Sequence, residues 1–144
     1  MNGANMSPPA PPRRRWRSVG AIVAGFVAVF VLSLGTDQVL HALKVYPPWG
    51  EPMAGALFMV ATGYRIVYTI LGGYITARLA PHAPVRHALI LGLVGLVAGL
   101  IGVMVNVAKP ELGPLWYSIA VLITGPPCAW LGGVLYGNRQ SSGD

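Results

Sequence analysis

Apolar residues along the chain gather into four runs, roughly 19–43, 53–77, 86–108 and 114–136, divided by short stretches of Pro, Gly and polar residues. Each run is close to the ~20 residues that carry a helix across ~30 Å of hydrocarbon. The pattern predicts an all-α membrane protein built as a four-helix transmembrane bundle, with helices at about 16–44, 53–80, 85–108 and 114–137. Residues 1–15 read as a disordered, Pro/Arg-rich cytoplasmic tail and 138–144 as a second cytoplasmic tail, because neither carries an apolar period. A cleaved secretory leader is the rival reading of the first run. That run continues well past Val19 with no A-x-A site after it, so a retained helix is expected.

Within the runs, small and polar residues fall at helical spacing. Gly20, Ala24 and Ala28 recur every four residues in the first run and predict a close-packing face. In the second, Thr62, Arg65, Thr69, Gly72 and Thr76 make one polar, small-residue face that should look into the bundle. The third carries Ala88, Gly92, Gly95, Gly99, Gly102 and Asn106 at alternating spacings of four and three. Such a seam lets membrane helices approach closely, and a glycine-lined permeation path is the functional alternative. In the fourth, Pro126 and Pro127 deprive the Leu122 and Ile123 carbonyls of helical donors, which predicts a kink. A short echo links Leu71-Gly72-Gly73 before Arg78 with Leu131-Gly132-Gly133 before Arg139, as two related hairpins would.

Charge changes the picture by its placement. Hydrophobic residues are 54% of the 144 and charged residues 10%, which excludes an ordinary soluble domain. The net charge of +6 resembles a nucleic-acid signal until its positions are read. Arg13, Arg14, Arg15, Arg17, Arg78, Arg86 and Arg139 flank alternate ends of the runs, while Lys44 and Lys109 occupy the other two connections. This positive-inside pattern puts both termini and the 78–86 connection in the cytoplasm, and no nucleic-acid partner is expected. Cys128 is the single cysteine, so an intrachain disulfide is excluded.

One arginine does not fit the flanking pattern. Arg65 sits near the middle of the second run, where a charge is costly and a guanidinium cannot lose its proton. Asp37, in the polar half of the first run, is its natural partner. Side chains lean toward the N-terminus of their own helix, and the two helices run in opposite directions. Asp37 and Arg65 should therefore converge, with Thr62 nearby and the remaining guanidinium protons going to water or to the Leu122 and Ile123 carbonyls. The pair either fixes helix packing alone or lines a mid-membrane ligand site that includes His41, Thr62 and Thr69. His41 lies one turn from Asp37, where it serves as a proton relay or as a locally bonded interfacial histidine.

Catalytic patterns fail on order or distance. Ser33, Asp37 and His41 share a helix face, but a triad needs the imidazole between nucleophile and acid. His82 and His87 lie at the opposite end of the runs from His41, so no metal set is expected. Gly72-Gly73 lacks the context of a phosphate loop. The expectation is a non-enzyme without cofactor or metal.

The segments SLGTDQVLHALKVYPPWGEPM, TGYRIVYTILGGYITARLAP, GPLWY and PCAWLGG resemble small four-span bacterial inner-membrane proteins of unassigned function. The likeness covers most of 18–137 and includes Asp37, His41, Trp49, Arg65 and Arg78. It implies a fold and a multi-pass inner-membrane location, but no activity. Two functional expectations result. One is a non-catalytic component that binds a partner subunit or lipid, with the bilayer and a homo-oligomer or membrane partner as its company. The other is a small oligomeric transporter or channel with its midplane site at Asp37, Arg65 and the Pro126-Pro127 kink.

Overall fold

A computed structural model describes residues 8–9 and 12–143. Most of the tail expected to be disordered lies outside the described residues. The described chain is all-helical: α1 (Pro12–Ala42), α2 (Gly55–Leu79), α3 (Pro84–Ala108) and α4 (Leu115–Ser141), with a short 3₁₀ turn at Pro110–Leu112. All four helices are long and apolar enough to cross a membrane. Helix α1 begins at Pro12, where proline suits a first helical position, so Arg13, Arg14 and Arg15 are helical rather than part of a tail. Likewise α4 continues to Ser141, through most of the stretch expected as a second tail.

The chain runs up and down, so both described ends and the 80–83 connection share one end of the bundle, called here the terminal end. The 43–54 and 109–114 connections share the far end. Turn chemistry fixes these reversals. Helix α1 stops where Lys44 adopts a left-handed φ of 58° ahead of Pro47-Pro48. Ala83, at φ 41°, leads into Pro84 at the start of α3. At the far end Asn106 Nδ2 donates to the Gly113 carbonyl at 3.1 Å, tying the end of α3 to the start of α4.

Helices α2 and α4 form the central pair; α1 packs on α2 and α3 on α4, with α3 also reaching α2. Glycine makes the central contact. A Cβ on Gly73 would collide with the Ala129 carbonyl, and one on Gly132 with the Ile70 carbonyl. Lipid supplies no hydrophobic drive between helices, so such backbone approach is how dispersion holds them together. The glycine pairs in the echoed segments therefore do related work. Gly72 meets Val29 of α1, and a Cβ on Gly133 would lie 2.5 Å from the Ala88 Cβ of α3. Each double glycine thus serves the central pair with one residue and its own hairpin with the other.

Two packing expectations need correction. The close face of α1 is Ala21 and Gly25, not Gly20, around which nothing lies within 4 Å. Thr76, fully buried on α2, donates to the Ala21 carbonyl at 3.1 Å and fixes that register. The α3 seam divides: Gly92 and Gly99 meet Pro126 and Leu122 of α4, whereas Gly95 and Gly102 have nothing within 4 Å. A spacing of seven keeps Gly92 and Gly99 on one line, while Gly95 and Gly102 are rotated off it into open space. Helix α4 is continuous through Pro126 and Pro127, and a Cβ on Gly92 of α3 would lie 2.9 Å from the Pro126 Cα.

Candidate functional site

The site begins with two residues on antiparallel neighbours. Asp37 comes from the last part of α1 and Arg65 from the first half of α2, and Arg65 Nη2 donates to Asp37 Oδ2 at 2.6 Å. The Arg65 side chain is 27% exposed and that of Asp37 12%, so the pair is largely withdrawn from solvent. Taking both charges from water costs several kcal/mol per ion, and pairing alone seldom repays it; further hydrogen bonds must contribute.

Tyrosines supply them. Tyr64 donates its hydroxyl to Asp37 Oδ1, and the same hydroxyl lies 3.2 Å from that of Tyr46. Tyr46, 4% exposed, also donates to the Leu57 carbonyl at 3.3 Å. The guanidinium carbon of Arg65 lies 5.8 Å from the Tyr117 ring centroid and 5.9 Å from that of Tyr64. Two aromatic faces thus share the positive charge that one carboxylate partly neutralises. A second pair, Thr36 Oγ1 and Tyr68 Oη at 2.7 Å, ties α1 to α2 beside the first.

The other expected site residues take humbler roles. Thr62 and Thr69 donate to carbonyls of their own helix, Phe58 at 2.9 Å and Arg65 at 2.7 Å. His41 Nδ1 contacts the Asp37 backbone carbonyl at 2.7 Å, not the carboxylate, and its ring stacks on Trp49 at 3.9 Å between centroids. His41 therefore closes the far end of α1 rather than extending the ion pair. The Leu122 and Ile123 carbonyls do not receive Arg65 either. Its side chain leans to the far end, toward Tyr117, while those carbonyls point along α4 to the terminal end. Arg65 Nε is buried without an acceptor, and among the described residues only Asp37 accepts from the guanidinium.

Beside the pair, α1 and α4 stand apart and leave a cavity of about 440 Å³. Arg65 and Thr69 of α2 lie at its back, Ser33 and Phe30 of α1 on one wall, and Tyr117 and Val121 of α4 on the other. Its floor along α3 includes Gly95 and Gly102, the two glycines that pack against nothing. The lining is mainly apolar, and Arg65 is its one charged residue among those described. Asp37 stands behind Arg65 and does not line the space.

From the sequence Tyr46 and Tyr117 read only as aromatics of the outer interface, and nothing marks Tyr64 or Tyr68 as members of the site. A signal existed: a tyrosine inside an apolar helix must place its hydroxyl on a polar partner, since lipid offers none. Tyr64, Arg65 and Tyr68 together mark the side of α2 that meets the polar half of α1. Among the described residues no group of His, Cys, Asp and Glu is arranged to hold a metal. Fold and site together define a four-helix bundle of membrane-crossing length with an ion pair beside a lateral cleft. Compared with known proteins, the chain matches no family model, no curated protein and no solved structure.

Proposed function

We propose that the chain is a non-catalytic, multi-pass component of a bacterial inner membrane that binds a membrane-resident molecule in the cleft beside Asp37–Arg65. In this reading both termini and the 80–83 connection are cytoplasmic, as the arginine placement favours. The ion pair holds α1 to α2 and turns one face of the guanidinium toward the binding space. The observation that carries the proposal is the border itself: a mainly apolar cavity, open between α1 and α4, with one cation at its back. Apolar space with few polar groups is the usual make-up of a ligand pocket.

The second reading, a small oligomeric transporter or channel, is favoured by the depth of Arg65 and by Gly95 and Gly102 facing open space. The two differ in water access. Single cysteines at Ala98 and Val121, in a Cys128→Ala background, report on the cleft walls. A membrane-resident ligand predicts reaction with a lipid-soluble maleimide and none with a charged, impermeant one. Rapid labelling by the impermeant reagent would establish the aqueous pathway instead.

A further inference from the structure

The cleft has a length, a polar end and an apolar remainder, and these narrow the ligand. Along α3 it extends from Gly102 to Leu91, and along α4 from Tyr117 to Ala129. Eleven residues of helix rise roughly 16 Å, close to half of the ~30 Å hydrocarbon core. Arg65, Tyr117 and Ser118 lie toward the far end, where Tyr117 is only the third residue of α4; Ser33 and Thr69 line the cleft farther in, and Thr69 is already bonded to the Arg65 carbonyl. Phe26, Leu91 and Ala129 line the opposite, apolar end.

The charge state of the polar end selects further. Arg65 already has a carboxylate partner, so the pair is close to neutral overall. A second anion would bring its charge near Asp37 as well as Arg65. A neutral acceptor avoids that repulsion and still meets terminal guanidinium N–H groups that the single bond to Asp37 leaves unused. In a membrane, the abundant neutral acceptor joined to an apolar chain of one leaflet's length is the ester carbonyl of a glycerolipid. Esters lie at the edge of the hydrocarbon, and the guanidinium reaches the level of Tyr117 near the far end of α4.

We propose that the cleft is an intramembrane lipid site that holds one acyl chain of a glycerolipid from the far-end leaflet. The chain lies along Gly95 and Gly102, and its ester carbonyl accepts from the Arg65 guanidinium. The missing side chains of Gly95 and Gly102 are the groove in which it runs; they explain why two glycines of the seam make no helix contact. This deepens the binding reading of the cleft and rests on it.

The test uses the full chain in nanodiscs containing trace amounts of a diacyl phosphatidylethanolamine or its dialkyl ether analogue, each with a photoreactive diazirine in one chain. The ester lipid should crosslink to cleft residues such as Gly95, Ala98 and Val121 in preference to the lipid-facing Val97, Leu100 and Ile123. The ether analogue, lacking the carbonyl, should label the cleft about tenfold less, as fits loss of one hydrogen bond to a charged group. Gly95→Leu, whose side chain enters open space, should abolish cleft labelling while native mass spectrometry and melting behaviour show a folded protein. Uniform labelling around the bundle, or equal labelling by ester and ether lipids, overturns the proposal even if Gly95→Leu fails to fold. A cleft that excludes the impermeant maleimide yet gathers no lipid defeats this inference alone. One that admits the reagent defeats the reading beneath it.

Discussion

Asp37 is the residue on which most of the polar interior converges: Arg65 and Tyr64 each donate to its carboxylate, and His41 contacts its backbone carbonyl. Tyr64→Phe keeps the ring that faces Arg65 but removes one donor from a nearly buried carboxylate. It should cost about 1–3 kcal/mol, read as a lower melting temperature in detergent. Tyr68→Phe should cost less, because its partner Thr36 retains a 2.8 Å bond to the Leu32 carbonyl. At the terminal end, Arg14 Nε donates to His82 Nδ1 at 3.2 Å, which requires an unprotonated ring nitrogen. Partial desolvation, with Arg14, His87 and Arg86 nearby, pushes the His82 pKa below its ordinary 6.5. A depressed histidine favours the neutral form in the fold, so this contact is present at pH 6.5 and above and is lost as pH falls through the lowered pKa. In an NMR titration, His82 should have its midpoint below 6.5, and Arg14→Gln should raise it. An unchanged midpoint would remove Arg14 from the account. The ion pair was legible in the sequence because opposite helix directions and side-chain lean force the two groups together. Its tyrosine shell was not, because no spacing rule links Tyr46 and Tyr64 until the far-end connection folds back.

The four helices were readable from apolar run length alone, since membrane thickness leaves little freedom in the length of a span. Their faces were less so. Gly25 instead of Gly20, and a seam divided between packing and open space, reflect the same ambiguity: a small residue serves equally to admit a neighbouring backbone or to leave room. The structure resolves that ambiguity glycine by glycine, and the consequence is testable. Gly73→Ala and Gly132→Ala each drive a Cβ into a carbonyl across the α2–α4 contact. Each should lower the melting temperature markedly, by the ~1–3 kcal/mol typical of overpacking. Gly102→Ala meets nothing and removes a flexible glycine from a helix, so it should leave stability unchanged or raise it. Comparable losses in all three would contradict this division between packed and open glycines. Pro126 and Pro127 lie inside the continuous α4, and the Pro126 backbone is where Gly92 of α3 packs.

On the scale of the whole molecule, the cleft exists because α1 packs on α2 and touches α3 but shares no face with α4, which packs on α2 and α3. Sequence periodicity could not anticipate this, since it describes faces and not which helices stay apart. The proposed orientation has its own check. Cysteines introduced at Ser142 and at Glu51, with Cys128→Ala, should react with an impermeant reagent from the cytoplasmic and outer sides respectively. The reverse pattern would invert the leaflet assigned to the cleft. Everything in this architecture depends on Arg65 being met by Asp37 between α1 and α2. The most direct measurement is a double-mutant cycle on folded yield and melting temperature in detergent, using Asp37→Asn, Arg65→Gln and the two combined. Each single change strands a charge that the other had compensated, a loss of as much as ~3 kcal/mol, and the double change should recover part of it. Losses that simply add, or singles indistinguishable from the parent protein, would contradict the account.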